Sequence, residues 1–374
     1  MTRIIEFLIA LAIVAVLFLI IGVALPSHRH LSESVETNRK LTIVYDTVNS
    51  FRRFKDWNPL VLHDPALTNA LKLSGAEEGV GARMDYDSSK GDIGQGHWEI
   101  SESVPNKQVT FRVESPSRGK NKVVNFLLEP TGKNGRNVKI TQTYDVDYGW
   151  DLVGRYAGLY VGGPVGDDMK MGLGRLATML TSVPNVDYAE QDLGLGKMVV
   201  TELPAEDLLI VNAGNIDRTE DAIRTSIRNN QEWIKRVMDS NGLEAAGPVR
   251  IVTTDLGQEK YAFDVAVPVR KKAGTAPAAA APDQSASVAA QGEPLNPAIP
   301  AGAPVAYKRT EASRAVSVPF TGDMGGLETV RNMLRAWAVT RGYELTERPF
   351  DAWKNGVDKA FSPEGEFDVY WRIK

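Results

Sequence analysis

The 374-residue chain contains no cysteine and only four histidines, His28, His30, His63 and His97. The first absence excludes disulfides, thiolate zinc sites and cysteine nucleophiles. The histidines show no HExxH or HxxxH spacing, so no histidine-built metal site is expected. Basic residues are not in excess: 43 Lys and Arg face 47 Asp and Glu, for a formal net charge of −4. A nucleic-acid surface would need a basic stripe. No serine lies in a GxSxG elbow, and the glycines of GGPVG and GLG lack the strand–loop–helix setting of a phosphate loop. These absences predict no cofactor, no metal and no assigned catalytic residue.

What is present is a globular composition, 43% hydrophobic and 24% charged, in a chain too long for one ordinary core. Residues 7–25, FLIALAIVAVLFLIIGVAL, carry no charge. At 1.5 Å per residue this run spans about 28 Å, close to the hydrocarbon thickness of a bilayer. A cleaved signal peptide is the rival reading, since Gly22 and Ala24 fit a small-residue cleavage rule. The run exceeds the usual 7–15-residue apolar region of a signal, so residues 1–27 are read as an uncleaved single-pass anchor. The short tail before it favours an inner-membrane protein of bacterial type with its soluble part on the periplasmic side, although the flanking charges do not fix the orientation.

Residues 28–184 read as one α+β unit. ETNRKLTIV, 36–44, is expected to be a strand, with a helix near DTVNSFRRFKDW. In QVTFRVE, Val109, Phe111 and Val113 alternate with Thr110, Arg112 and Glu114. VKITQTYDVDY repeats the pattern with Val138, Ile140, Gln142, Tyr144 and Val146. Such alternation predicts an antiparallel sheet covered on one face. The cover is GDDMKMGLGRLATMLTS, where Met169, Leu173, Leu176 and Leu180 recur at helical spacing and Asp167 and Asp168 suit a helix N-terminus.

Together ALPSHRH, FKDWNPLVLHDP, GAEEGVGARMDY, GQGHWEI and GPVGDDMKMGLGRL resemble the SRPBCC superfamily, and more narrowly the membrane-anchored, polyketide cyclase-like branch of START-type domains. Gln95 stands where that branch carries Glu in its GEG turn. The resemblance implies a helix-grip fold around a hydrophobic ligand.

After a linker at 185–196, residues 197–374 carry an internal repeat. The helical patterns TSIRNNQEWIKRVMDSNG and TVRNMLRAWAVTRG each end in Gly, at Gly242 and Gly342. Their stripes are Ile223, Ile227, Ile234 and Met238, and Leu327, Val330, Leu334 and Trp337. Each then reaches a strand holding Phe-Asp-Val, at 263–265 and 367–369. Two strand–helix–strand–strand modules are therefore expected, each able to bury its face only against the other. The Ala- and Pro-rich stretch 271–304 between them reads as a disordered insertion. MVVTELPAEDLLIVNA, RPFDAW and FDVYWRIK resemble the GyrI-like, or AraC effector-binding, domain, which implies a ligand groove between modules. Phe350, Asp351 and Trp353 match that family's acidic groove segment, with Asp in place of Glu.

The candidate ligand-binding residues are Trp57, Trp98, Phe111, Gln142, Tyr144, Met169 and Leu173 in the first unit. In the second they are Trp337, Tyr343, Asp351, Trp353 and Trp371. Each has a plainer alternative: the aromatics as core, Gln142 as a bonded core amide, Asp351 as a solvated acid after a proline. The fold class expected is thus α+β, with an N-terminal transmembrane helix, a START-like sheet and a duplicated GyrI-like domain. The function expected is membrane-tethered binding or sensing of small hydrophobic or amphipathic ligands, without nucleic acid. A cyclase, dehydrase or small-molecule hydrolase is the alternative. It would draw on His63, Asp64 or Asp351.

Overall fold

The structure is a computed structural model that describes residues 2–189, 194–272 and 293–374. It is mixed α and β, with two curled antiparallel sheets and an N-terminal apolar helix. The chain divides into two compact units, Met1–Asp187 with Thr340–Gly342, and Tyr188–Val339 with Tyr343–Lys374.

The first unit begins with α1 (Thr2–Ala24), whose apolar side chains are exposed all round. It is long and apolar enough to cross a membrane, a test that a signal sequence also passes. There follow β1 (His28–Thr37), α2 (Leu41–Val48), the single turns α3 (Phe54–Trp57) and α4 (Leu60–His63), then β2 (Lys72–Gly75) and β3 (Ala82–Asp87). Next come β4 (Gln95–Val104), β5 (Gln108–Glu114), β6 (Lys120–Thr131), β7 (Asn137–Asp147), α5 (Leu152–Gly158) and α6 (Pro164–Leu180). The seven strands form one sheet in the order β1-β7-β6-β5-β4-β3-β2.

The inward faces are those that the alternation gives. Val109, Phe111, Val113, Val138, Ile140, Gln142 and Val146 are all buried, as are Met169, Leu173, Leu176 and Leu180 of α6. The strand expected at 36–44 is displaced, because the edge strand lies upstream at 28–37 and LTIV opens α2. Its Thr42, Ile43, Val44, Thr47 and Val48 are buried together, and packing on every side overrides the strand preference of a β-branched run.

Pairing of β1 with β7 places His28 opposite Asp147 and His30 opposite Asp145. His28 Nδ1 lies 3.0 Å from Asp147, and both His28 and His30 reach Asp145, at 3.2 and 2.8 Å. The Asp147 hydrogen bond holds the His28 imidazolium above its ordinary pKa against a smaller effect of burial. A raised folded value means that this pairing stabilises fully below the ordinary histidine range and is lost as pH rises through the folded value. His28 is expected to titrate above its ordinary value by NMR, and Asp147→Asn is expected to bring the midpoint down.

The second unit holds β8 (Val199–Leu203), β9 (Glu206–Asp217), α7 (Glu220–Ser240), β10 (Leu243–Ala245), β11 (Arg250–Leu256) and β12 (Lys260–Lys271). It continues with β13 (Val305–Thr310), β14 (Ser313–Thr321), α8 (Leu327–Thr340), β15 (Phe350–Trp353) and β16 (Glu366–Ile373). One nine-stranded sheet runs β13-β9-β12-β11-β15-β16-β14-β8, with β10 paired to β12. At its centre Ile251 of β11 faces Asp351 of β15. Ile251 in turn pairs with Val265, and Asp351 with Val369. The two Phe-Asp-Val segments thus sit in the same register on either side of the central pair. Phe263, Val265, Phe367 and Val369 are buried in one core with Ile223, Ile227, Leu327 and Leu334 of the helices.

The insertion differs from expectation in its second part. Residues 273–292 of it lie outside the described residues. In 293–304, Leu295 and Ile299 pack on the core, and the Asn241 side chain bonds both the N–H and the C=O of Ala298, at 2.7 and 2.9 Å. Of the linker, 190–193 lie outside the described residues, while Gly194 accepts a bond from Thr321 N–H and Gly196 donates to Pro319.

Candidate functional site

A cavity of about 220 Å³ lies between the sheet of the first unit and α6. Its helical wall is Val165, Asp168, Met169 and Gly172, at spacings of three, one and three, which is one stripe of a helix. Leu173 faces the core beside that stripe. The sheet wall comes from inward positions on neighbouring strands: Tyr86, Trp98, Val113, Val124 and Tyr144, with Trp98 opposite Val113 and Val124 opposite Tyr144. Trp57, Asn58, Pro59 and Leu60 close one side.

Of the expected residues in this unit, Trp57, Trp98, Gln142, Tyr144 and Met169 therefore share one cavity. Phe111 and Leu173 stand behind the lining, each 2% exposed. Phe111 belongs to a floor of rings, with centroids 5.6 Å from Phe51 and 5.8 Å from both Trp98 and Phe126.

The polar side chains on the wall are Asn58, Tyr86, Ser115, Ser117, Lys122, Gln142, Tyr144 and Asp168. Burial raises the pKa of Tyr86, and burial together with Tyr148 raises that of Tyr144, so both hydroxyls stay neutral. Lys122, 4% exposed, lies on the inward face of β6 with Val124, Phe126 and Leu128. Its period-two position in KVVNFLL was the available sequence signal for this lining residue, which the candidate set omits. Burial lowers its pKa and Glu114 partly offsets this. Its three N–H donors are all used, on Ser115 O (2.9 Å), Ser115 Oγ (2.9 Å) and Ser117 O. An ammonium with three acceptors is held in its charged form. It therefore fastens the β5–β6 turn and is a poor amine nucleophile.

His63 bonds Asp168, with Nε2 at 2.8 and 3.0 Å from the two carboxylate oxygens, and so stands at the helical wall. The neighbouring Asp64 is not its partner. Asp64 accepts from Ser88 Oγ at 2.6 Å and from Ala66 N–H at 3.1 Å, capping the short turn after it, and the Ser88 bond lowers its pKa. Among the described residues no group of three or more His, Asp or Glu is placed to hold a metal ion.

In the second unit the expected residues do not converge on the open face of the sheet. Asp351 is fully buried on the helix side, where Arg331 of α8 grips it through Nε at 3.1 Å and through Nη2. It is not a solvated acid, and Arg331, which holds it, lines a separate cavity of about 150 Å³ with Ile223 and Tyr261. Burial works against the Arg331 charge, and Asp351 more than compensates, raising the guanidinium pKa. Trp353 is buried on the same side, Trp337 stacks on Tyr343 with centroids 6.1 Å apart, and Trp371 donates from Nε1 to Glu347 O at 3.3 Å. The reason is strand parity: alternate residues face opposite ways, so Phe350 reaches the open face while Asp351 does not.

That open face is a groove of about 560 Å³. On it Phe350 stacks on Tyr370 with centroids 4.9 Å apart. Arg250 lies 5.0 Å over the Phe350 ring and makes two 2.7 Å bonds to Glu206. Leu208, Ile210 and Val252 add apolar wall, and Lys308, Arg348 and Arg372 add positive charge.

A search of curated proteins finds no match. Several solved structures are similar at low identity. The C-terminal domain of EcmrR is 17% identical over 48% of this chain and 97% of its own, with a TM-score of 0.34. The protein XoxI from Bacillus cereus is 14% identical over 40% of this chain and 93% of its own, with a TM-score of 0.31. Truncated norcoclaurine synthase from Thalictrum flavum is 14% identical over 41% of this chain and 93% of its own, with a TM-score of 0.30. Residues 28–181, the stretch that builds the first cavity, match the family described as polyketide cyclase / dehydrase and lipid transport.

Proposed function

We propose that this chain is a membrane-tethered binding protein whose first unit holds a small hydrophobic molecule between its sheet and α6, in the manner of a helix-grip fold. The observation that carries this reading is the cavity itself, with a largely apolar and aromatic wall that includes Trp57, Trp98, Val113, Val124 and Met169, and with its two charged groups, Lys122 and Asp168, already paired within the protein. At about 220 Å³ it falls below the ~300–1,000 Å³ of sites for drug-sized ligands. It suits a small molecule or one end of a longer chain. Apolar burial would supply affinity at about 25 cal/mol per Å², and uncharged polar groups such as Gln142, Tyr86 and Tyr144 orientation. α1 is read as the tether, which keeps the cavity near the phase where such ligands partition.

The second unit is read as two copies of one module. Supporting this are the matched registers of the Phe-Asp-Val strands and the alike strand order on either side of the β11–β15 pair. The groove on its open face is then a second binding surface, with Phe350, Tyr370 and Arg250 as its anchors. Native mass spectrometry of the full chain, released gently from detergent, tests the reading. A retained lipophile supports it, and two empty units under all release conditions count against it.

The His63–Asp168 pair favours one second reading, general acid–base catalysis on a bound ligand, because Asp168 stands on the cavity wall. Asp168→Asn separates the two. A binding protein should keep its ligand within about three-fold, under 1 kcal/mol, whereas an enzyme should lose turnover by about 10²–10⁴-fold.

A further inference from the structure

The segment Trp150–Tyr160 is an unusual surface for a water-facing turn. Trp150 is 81% exposed and Tyr160 76%, with Val153 and Leu159 about half exposed between them. Within the same unit this segment is built onto the last turns of α1. The Tyr156 ring stacks on Phe18 with centroids 4.5 Å apart, and its hydroxyl donates to Phe18 O at 2.8 Å. Gly22 is where the two helices meet most closely: a Cβ there would lie 3.2 Å from Tyr156 and 3.3 Å from Leu152. The last carbonyls of a helix have no partner within it. Here the buried Arg155 supplies one, donating from Nη1 to Val23 O at 2.8 Å and Leu25 O at 3.2 Å, and at longer range to Gly22 O. In water those carbonyls would be hydrated; away from water they must be satisfied by protein.

We infer that residues 150–160 form an interfacial foot, lying in the headgroup–acyl boundary of the bilayer that α1 enters. The inference rests on the reading of α1 as a membrane tether and adds where the rest of the unit sits on it. Phe18 lies six residues before the helix end at Ala24, about 9 Å along the axis at 1.5 Å per residue. A side chain bonded to Phe18 is therefore held at the depth, about 5–10 Å, where amphipathic segments rest. The exposed residues are of the types that favour this layer: Trp and Tyr at the boundary, Leu and Val below it. The occupant is thus a lipid surface, continuous with the apolar flank of α1. The loop after Gly158 leads from the foot into α6, whose Val165 is already cavity wall.

The absence of cysteine makes the test direct, because a single introduced thiol takes a fluorescent label alone. Leu11→Cys, Trp150→Cys, Tyr160→Cys and Lys133→Cys are each made in the full chain, labelled with an environment-sensitive dye and reconstituted in phosphatidylcholine–phosphatidylglycerol vesicles. Lys133 is exposed in the β6–β7 turn, at the other end of a strand about 30 Å long. The expected result is emission shifted to the blue, and quenching by doxyl lipids at least about two-fold stronger than at Lys133, for labels at 11, 150 and 160. Water-like labels at 150 and 160 with a quenched label at 11 overturn the foot and leave the tether. A water-like label at 11 overturns the tether, and the foot with it. Quenching at Lys133 equal to that at Tyr160 also overturns the foot, since it marks general adsorption.

Discussion

Asp351→Ala is expected to destabilise the second unit by about 3–5 kcal/mol, the cost of leaving one member of a buried ion pair alone. Arg331 and Asp351 lie 9% and 0% exposed at the side chain and bond through two guanidinium nitrogens. Removal of the carboxylate strands a guanidinium beneath the helices. The paired change Arg331→Met with Asp351→Leu is expected to recover most of the loss, because apolar pairs of similar volume often replace buried ions at little cost. Hydrogen exchange of the β15 and β16 amides is the suitable measurement, since a chain of two units does not unfold as one two-state system. If Asp351→Ala leaves those amides as protected as before, the carboxylate is not a structural partner and the assignment of Asp351 to the core is wrong.

The second large effect concerns the first cavity. Val124 is 2% exposed, lines the void and pairs with Tyr144 across the sheet. Val124→Trp is expected to fill the space and weaken retention of a lipophile by about 100-fold, near 2.7 kcal/mol. Overpacking should cost the fold about 1–3 kcal/mol. Val124→Ala enlarges the same space, and it is expected to keep binding while losing stability. Retention measured by native mass spectrometry, alongside thermal unfolding, distinguishes loss of ligand from loss of fold. Unchanged retention in the Trp variant would move the binding site elsewhere.

The parts that could be read from the sequence were those with a clean period. Val109, Phe111 and Val113 declared an inward face, and Met169, Leu173, Leu176 and Leu180 declared a helix against it. The repeat of Phe-Asp-Val found two strands that the structure places in matching registers. The cavity was legible where a polar or aromatic residue broke an apolar stripe, as at Gln142 and Tyr144. Lys122 carried the same signal, but a lysine invites reading as solvent-facing. The position of Asp351 was not legible. Alternation says that Phe350 and Asp351 face opposite sides, but not which side has helices, and the partner that allows the acid to be buried, Arg331, lies twenty residues away on α8. The run LTIVYDTV failed for a related reason: its β-branched residues suit a strand, and only contacts from several elements make it a helix. His63 was read beside its sequence neighbour Asp64, whereas its partner lies 105 residues further on.

The outer strands of the second sheet carry a last consequence. β8, which precedes β9 in the chain, pairs with β14, while β13, which precedes β14, pairs with β9. Each half of the sheet is finished at its edge by the strand that leads into the other half, so neither edge is complete until both are made. Such a clasp binds the halves through main-chain hydrogen bonds at both rims as well as at the centre. It ties the assembly of one half to that of the other, however long the polypeptide strung between them becomes.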